Sequence, residues 1–108
     1  MAVYLIGEVE VTDESWISGY ATNVHEIVHK HGGKYLSRSG NVTHVDGEPS
    51  NASLIALVVF PNMDAAQEFV NDPDYDKFRE SRLGGSISTV QLIDDSDAAG
   101  TIPYLTKG

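Results

Sequence analysis

Residues 25–29, His25-Glu26-Ile27-Val28-His29, have the H-E-x-x-H spacing that brings two imidazoles to one side of a helix for zinc, with the glutamate as a base. A second candidate lies in DPDYDKFRESRLGG, where Tyr75, Phe78, Arg79 and Arg82 fall within about 100° of one helical arc. A guanidinium among aromatics needs an acceptor, either an internal carboxylate such as Glu8 or the carboxylate of a ligand. A third group is Tyr4, Glu8, Arg38 and either His44 or Gln91, which on the sheet face left uncovered by helices would line an apolar cavity with a few polar groups, or form internal polar pairs in a dimer interface. The chain holds no cysteine, which removes thiolate ligands, thiol nucleophiles and disulfides. No Ser-His-Asp arrangement, phosphate loop or dinucleotide fingerprint occurs.

The helical phase decides between these histidines. With Trp16 at zero, Tyr20, Val24, Ile27 and Val28 form an apolar arc centred at about 60°, while His25 and His29 fall at about 180° and about 220°. A zinc hydrolase buries both histidines under a cleft and adds a third ligand, so this pair reads as a solvent-facing one and no metal is expected. His31 lies on the apolar arc at the last turn. There an imidazolium would suit the helix dipole, a neutral ring would bond a terminal carbonyl, and a ligand-binding role stays open.

The elements that would position these side chains follow from pattern. Val3 to Val11 alternates with period two, one face carrying Val3, Leu5, Gly7, Val9 and Val11, the other Tyr4, Ile6, Glu8 and Glu10. Thr12 and Asp13 are N-cap candidates for a long helix closed by Gly32-Gly33. Lys34 to Ser39 and Asn41 to Val45 read as short strands, and DGEPSNAS as a loop. In the first of these, either Arg38 with Leu36 or Tyr35 with Ser37 faces the uncovered side, depending on register. LIALVVF, residues 54–60, is a continuous apolar run and reads as a central strand covered on both faces. Asn62 caps a short helix to about Asn71, Asp72-Pro73 starts another that Gly84-Gly85 ends, and Ser86 to Ile93 is the last strand.

The order β-α-β-β-α-β, with the second helix split, predicts an α+β, ferredoxin-like fold with a four-stranded antiparallel sheet. Helices cover one sheet face, and the apolar members of the other (Tyr4, Ile6 and one face of 54–60) call for a partner. Residues 1–94 form the domain. Residues 95–108 form an extension whose Ile102, Tyr104 and Leu105 suggest docking on the sheet edge or on a second subunit.

Sixteen acidic against seven basic side chains give a formal charge of −9, which opposes nucleic acid and anionic membrane surfaces as partners. The N-terminus lacks a signal-peptide pattern and no apolar run reaches membrane-spanning length, so a cytoplasmic location is expected.

Four stretches together, YLIGEVEVTD, HGGKYLSRSG, LVVFPNMDAAQEFVNDPDYDKFRESR and STVQLID, resemble the DUF1330 family over about residues 3 to 94. The resemblance implies a dimeric α/β barrel, in which two ferredoxin-like subunits press their open sheet faces together. It matches the family's polar positions at Arg38, Tyr75 and Arg82; Trp16 and the tail after Asp94 depart from its pattern. The wider superfamily, similar in shape, includes cofactor-free monooxygenases and polyketide cyclases. The expectation is a homodimer that takes a small carbonyl-bearing or anionic metabolite, without a cofactor. Arg38 and Arg82 would hold oxygens, Tyr4 or His44 would transfer protons, and Glu8, His31, Tyr75 and Gln91 would complete the ligand contacts. A noncatalytic binding protein of the same fold is the competing expectation.

Overall fold

Alternation in β1 (Val3–Val11) sorts its side chains onto two unlike faces, and the rest of the chain builds on that division. The computed structural model describes residues 1–108. β1 is followed by α1 (Ile17–Lys30), β2 (Lys34–Ser39), β3 (Leu54–Phe60), α2 (Met63–Val70), α3 (Pro73–Gly85) and β4 (Ser86–Asp94). The strands make one antiparallel sheet in the order β2-β3-β1-β4, the ferredoxin-like arrangement with both helical segments on one side.

Cross-strand pairs share a face, so the register identifies what each side carries. Val3, Leu5, Gly7 and Val9 pair with Phe60, Val58, Ala56 and Leu54 toward the helices. Val3, Leu5, Val58 and Phe60 are buried there against Val24, Ile27 and Val28 of α1 and against Ala66, Phe69 and Tyr75. On the open side Tyr4, Ile6 and Glu8 pair with Val59, Leu57 and Ile55 of β3 and with Ile93, Gln91 and Thr89 of β4. β3 is central in the sheet but has only one face covered within the chain.

Several boundaries differ from the expectations. α1 starts at Ile17, not at Thr12 or Asp13, because those residues are drawn elsewhere. The Gly85 carbonyl accepts from the amides of Thr12 (2.9 Å) and Asp13 (3.0 Å) and from Trp16 Nε1 (3.0 Å). Asp13 turns its carboxylate onto Ser15 instead of capping the helix. Residues 41–45 form an exposed loop, not a strand, and α3 passes through Gly84 and Gly85 directly into β4. The other end of α1 is as expected. Gly32 at φ 78° donates to His29, and Gly33 to Val28, the paired bonds of a Schellman cap.

Beyond Asp94 the tail makes one 3-10 turn, Ala98–Gly100, and leaves Ile102, Tyr104 and Leu105 exposed in the single chain. No helix is long and apolar enough to cross a membrane.

Candidate ligand-binding site

Small side chains in the middle of the sheet leave room beneath the helices. Gly7 sits opposite Ala56, and a Cβ built on Gly7 would meet only Leu5 and Val90, each at 4.0 Å. The resulting cavity, about 690 Å3, is lined mainly by apolar side chains of β1, β3 and α1, with Trp16 and Tyr20 in its wall. Its polar groups gather at two places.

The inner place is Arg82, which is 5% exposed. Its Nη1 donates to Tyr75 Oη at 2.6 Å and to Tyr20 Oη at 2.9 Å, and its Nε donates to Ser88 Oγ at 3.2 Å. No carboxylate pairs with it; Glu8, the internal partner considered from sequence, lies on the opposite sheet face. The second Nη has no protein partner, yet no side-chain nitrogen or oxygen is sealed away unsatisfied, so this nitrogen meets open space. Both phenol oxygens accept from the guanidinium and lie 3.4 Å apart. At most one can donate to the other, so at least one O–H remains for a further acceptor. Burial pushes the Tyr20 hydroxyl well above its ordinary value, the nearby Tyr75 adding to this and Arg82 opposing it. Tyr20 therefore keeps its proton, and the guanidinium charge is not cancelled by a phenolate there.

The outer place is the mouth, where a β-bulge between Tyr35 and Ser37 breaks the alternation of β2. Tyr35 pairs with Val58 and Arg38 with Ala56, so both face the cavity, a combination that neither unbroken register allows. The Arg38 guanidinium carbon lies 4.3 Å from the centre of the Tyr35 ring. His25 stacks on the same ring at 5.4 Å with 4° between planes, and His29 backs His25 at 4.5 Å. Burial pushes the Tyr35 hydroxyl up, with Arg38 pulling it down.

The sequence-derived residues thus separate. Arg38, Tyr75 and Arg82 line one cavity. Tyr4, Glu8 and Gln91 do not join them, because strand pairing places all three on the open face; the cavity lies on the covered side of the sheet instead. His44 is in the exposed loop after β2 and outside the lining. His31 is held at 2.7 Å by Asp72, which also accepts from Lys30 Nζ (3.0 Å) and from the Asp74 amide at the start of α3 (2.9 Å). Bonds from His31, the Asp74 amide and Lys30 hold the Asp72 carboxyl well below the usual carboxylate range. His31 is a clamp between α1 and the α2–α3 junction, not a cavity group. His25 is not simply on the wet side of α1, since it is half-buried at the mouth. No group of three or more His, Cys, Asp or Glu side chains is placed to hold a metal ion.

Tyr20, His25 and Tyr35 were missed from sequence. The signal that points to the cavity is the run of small residues, Gly7 and Ala56, at helix-facing positions of neighbouring strands. The bulge has no such sign.

Among solved structures, a protein of unknown function from Rhodopseudomonas palustris is similar with a TM-score of 0.71 and 12% identity, covering 89% of this chain and 83% of that one. SnoaB, a cofactor-independent oxygenase from Streptomyces nogalater, is similar with a TM-score of 0.62 and 13% identity, covering 95% and 98%. An antibiotic biosynthesis monooxygenase follows at 0.54 and 11%, covering 90% and 100%. These likenesses show the ferredoxin-like fold. No curated protein matches by sequence. The profile of the family described as Domain of unknown function (DUF1330) matches residues 2–96, the whole of the sheet and its helices, and the chain belongs to that family.

Proposed function

We propose that the chain binds a small apolar molecule bearing a carboxylate or carbonyl oxygen, between its sheet and helices, as a cytoplasmic homodimer. The observation that carries this is Arg82, a buried guanidinium whose partners are two phenols and a serine, with no carboxylate among them. An anion-sized demand is left over, and it is met by a free N–H and a spare phenol O–H at the end of an apolar cavity. In a chain of charge −9 the carboxylates stay away from this place, which preserves it for an incoming one. Arg38 at the mouth offers a second donor. Isomerisation, cyclisation or oxygenation without a cofactor is the class of reaction such a site would serve, and the oxygenase named among the structural neighbours supports that class.

Trp16 is the chain's one tryptophan and lies in the cavity wall, so its fluorescence reports occupancy. Titration with phenylacetate and with neutral phenylacetamide should give at least about tenfold tighter binding of the acid, since a charge-assisted hydrogen bond contributes about 1.5–3 kcal/mol. Equal affinities would refute an oxyanion site.

The homodimer reading rests on the open face, where Tyr4, Ile6, Ile55, Leu57 and Val59 are only half-buried and Ile93 is 49% exposed. A second copy of the same face covers such a surface by two-fold symmetry. Leu57→Asp puts a charge at its centre and is expected to convert a dimer to a monomer in sedimentation equilibrium, with the circular dichroism unchanged. A wild-type chain that sediments as a monomer at tens of micromolar, or a variant that stays dimeric, contradicts this use of the face.

A further inference from the structure

We infer that His25 is the proton-transfer group of the cavity, acting on a ligand whose carbonyl oxygen is held by Arg38; this rests on the binding reading above. Of the four histidines, His25 is the one that lines the cavity. His31 is taken by Asp72, His44 stands in an exposed loop, and His29 lies behind His25, outside the lining. The His25 ring is fixed in orientation between Tyr35 (5.4 Å) and His29 (4.5 Å), and neither of its nitrogens has a hydrogen-bond partner in the chain. A half-buried, oriented and unpartnered imidazole at the mouth of an apolar cavity has the make-up of a general base.

Its neighbours supply the rest of the chemistry. Arg38 packs on the same tyrosine ring that His25 stacks on, so that ring joins base and cation at the mouth. Tyr35, whose hydroxyl burial pushes up, adds a protonated phenol there. Glu26 is the other basic side chain at the mouth; it is exposed on α1 and stacks on nothing.

The ligand class that fits is an apolar carbonyl compound with an acidic α-hydrogen and a second oxygen function beside the carbonyl, both within reach of Arg38 at the mouth, such as a 2-oxo acid whose aryl or alkyl tail runs into the cavity. An imidazole nitrogen of His25 takes the α-proton. The C–H electron pair becomes the C=C bond, and the carbonyl π pair moves to oxygen as an enolate, held by the Arg38 guanidinium. The imidazolium then returns the proton to oxygen, giving the enol, or to carbon. The net change is an isomerisation. It needs no oxidant and no cofactor.

Phenylpyruvate has the required groups, and exchange of its C3 hydrogens in deuterated buffer is followed by proton NMR. The wild-type chain is expected to accelerate exchange above buffer. His25→Gln should lower the acceleration by about 100-fold while leaving phenylpyruvate binding, read from Trp16 fluorescence, within threefold. His25→Asn, smaller at the same position, should do the same, and both should melt as the wild type does. His44→Gln, which removes an imidazole in the exposed loop outside the lining, should retain most of the acceleration. Intact binding with undiminished exchange in both His25 variants overturns the assignment, as does an equal loss in His44→Gln. Absence of binding by the wild type overturns the ligand reading itself, and the assignment with it.

Discussion

Arg82→Met is expected to fold and to lose about 10- to 100-fold in affinity for phenylacetate while its affinity for phenylacetamide changes little. The reasoning is a comparison of what each state loses. In the empty protein, removal of the guanidinium costs three hydrogen bonds, but Tyr20 and Tyr75, with oxygens 3.4 Å apart, can turn to each other, and methionine fills the same apolar path. Replacing a buried charged group by an apolar one of similar length is often near neutral, so the stability loss should stay at about 1–2 kcal/mol. In the complex, the cation that faces the carboxylate is gone. Thermal melting and fluorescence titration on one preparation separate the two effects. Unchanged phenylacetate affinity in a folded variant would make Arg82 a structural strut only. Arg82→Lys provides a further check, because lysine keeps charge but cannot span two phenols, a serine and a ligand at once.

Gly85→Ala is expected to cost about 3 kcal/mol, a fall in Tm of roughly 10–20 °C, whereas Gly84→Ala next to it should be neutral or slightly stabilising. A Cβ on Gly85 would stand 2.2 Å from Trp16 Cδ1 and 2.4 Å from its Nε1, while one on Gly84 meets nothing within 4 Å. The indole cannot simply move aside, because it is tied to the Gly85 carbonyl, the same oxygen that receives the amides of Thr12 and Asp13. Displacing Trp16 therefore loosens the β1–α1 connection and shifts a wall of the cavity together. Chemical denaturation of both variants decides this; a difference below about 0.5 kcal/mol between them would mean the contact relaxes freely.

Much of the fold was legible in residue patterns, and the limits of that legibility are physical. Val3–Val11, Lys34–Ser39 and Leu54–Phe60 were read with the observed ends, because alternation, glycine and proline act locally. The start of α1 was misread at Thr12 because its backbone donors go to Gly85, a residue more than seventy positions away. Arg82 and Tyr75 were found through helical spacing, but Tyr20, their partner across the helix pair, needs the tertiary structure. The faces of β1 were divided correctly, yet the cavity was placed on the uncovered one. Tyr4, Glu8 and Gln91 attracted attention as polar groups, and the absence of bulk at Gly7 and Ala56 is a quieter sign. Arg38 or, in the other register, Tyr35 was assigned to the uncovered face, whereas both turn to the covered one, since alternation cannot register a bulge.

Leu36, the extra residue in that bulge, is half-exposed and has no partner on β3. Removing it would leave Tyr35, Ser37 and Arg38 in plain alternation, with the first and last still pointing inward. For comparison among relatives, the residue is thus a silent place in the count. An alignment that opens a one-residue gap at Leu36 superimposes the tyrosine and the arginine of the mouth. An ungapped alignment that preserves length instead would match Arg38 to an outward position, and would hide a shared site behind an apparent substitution.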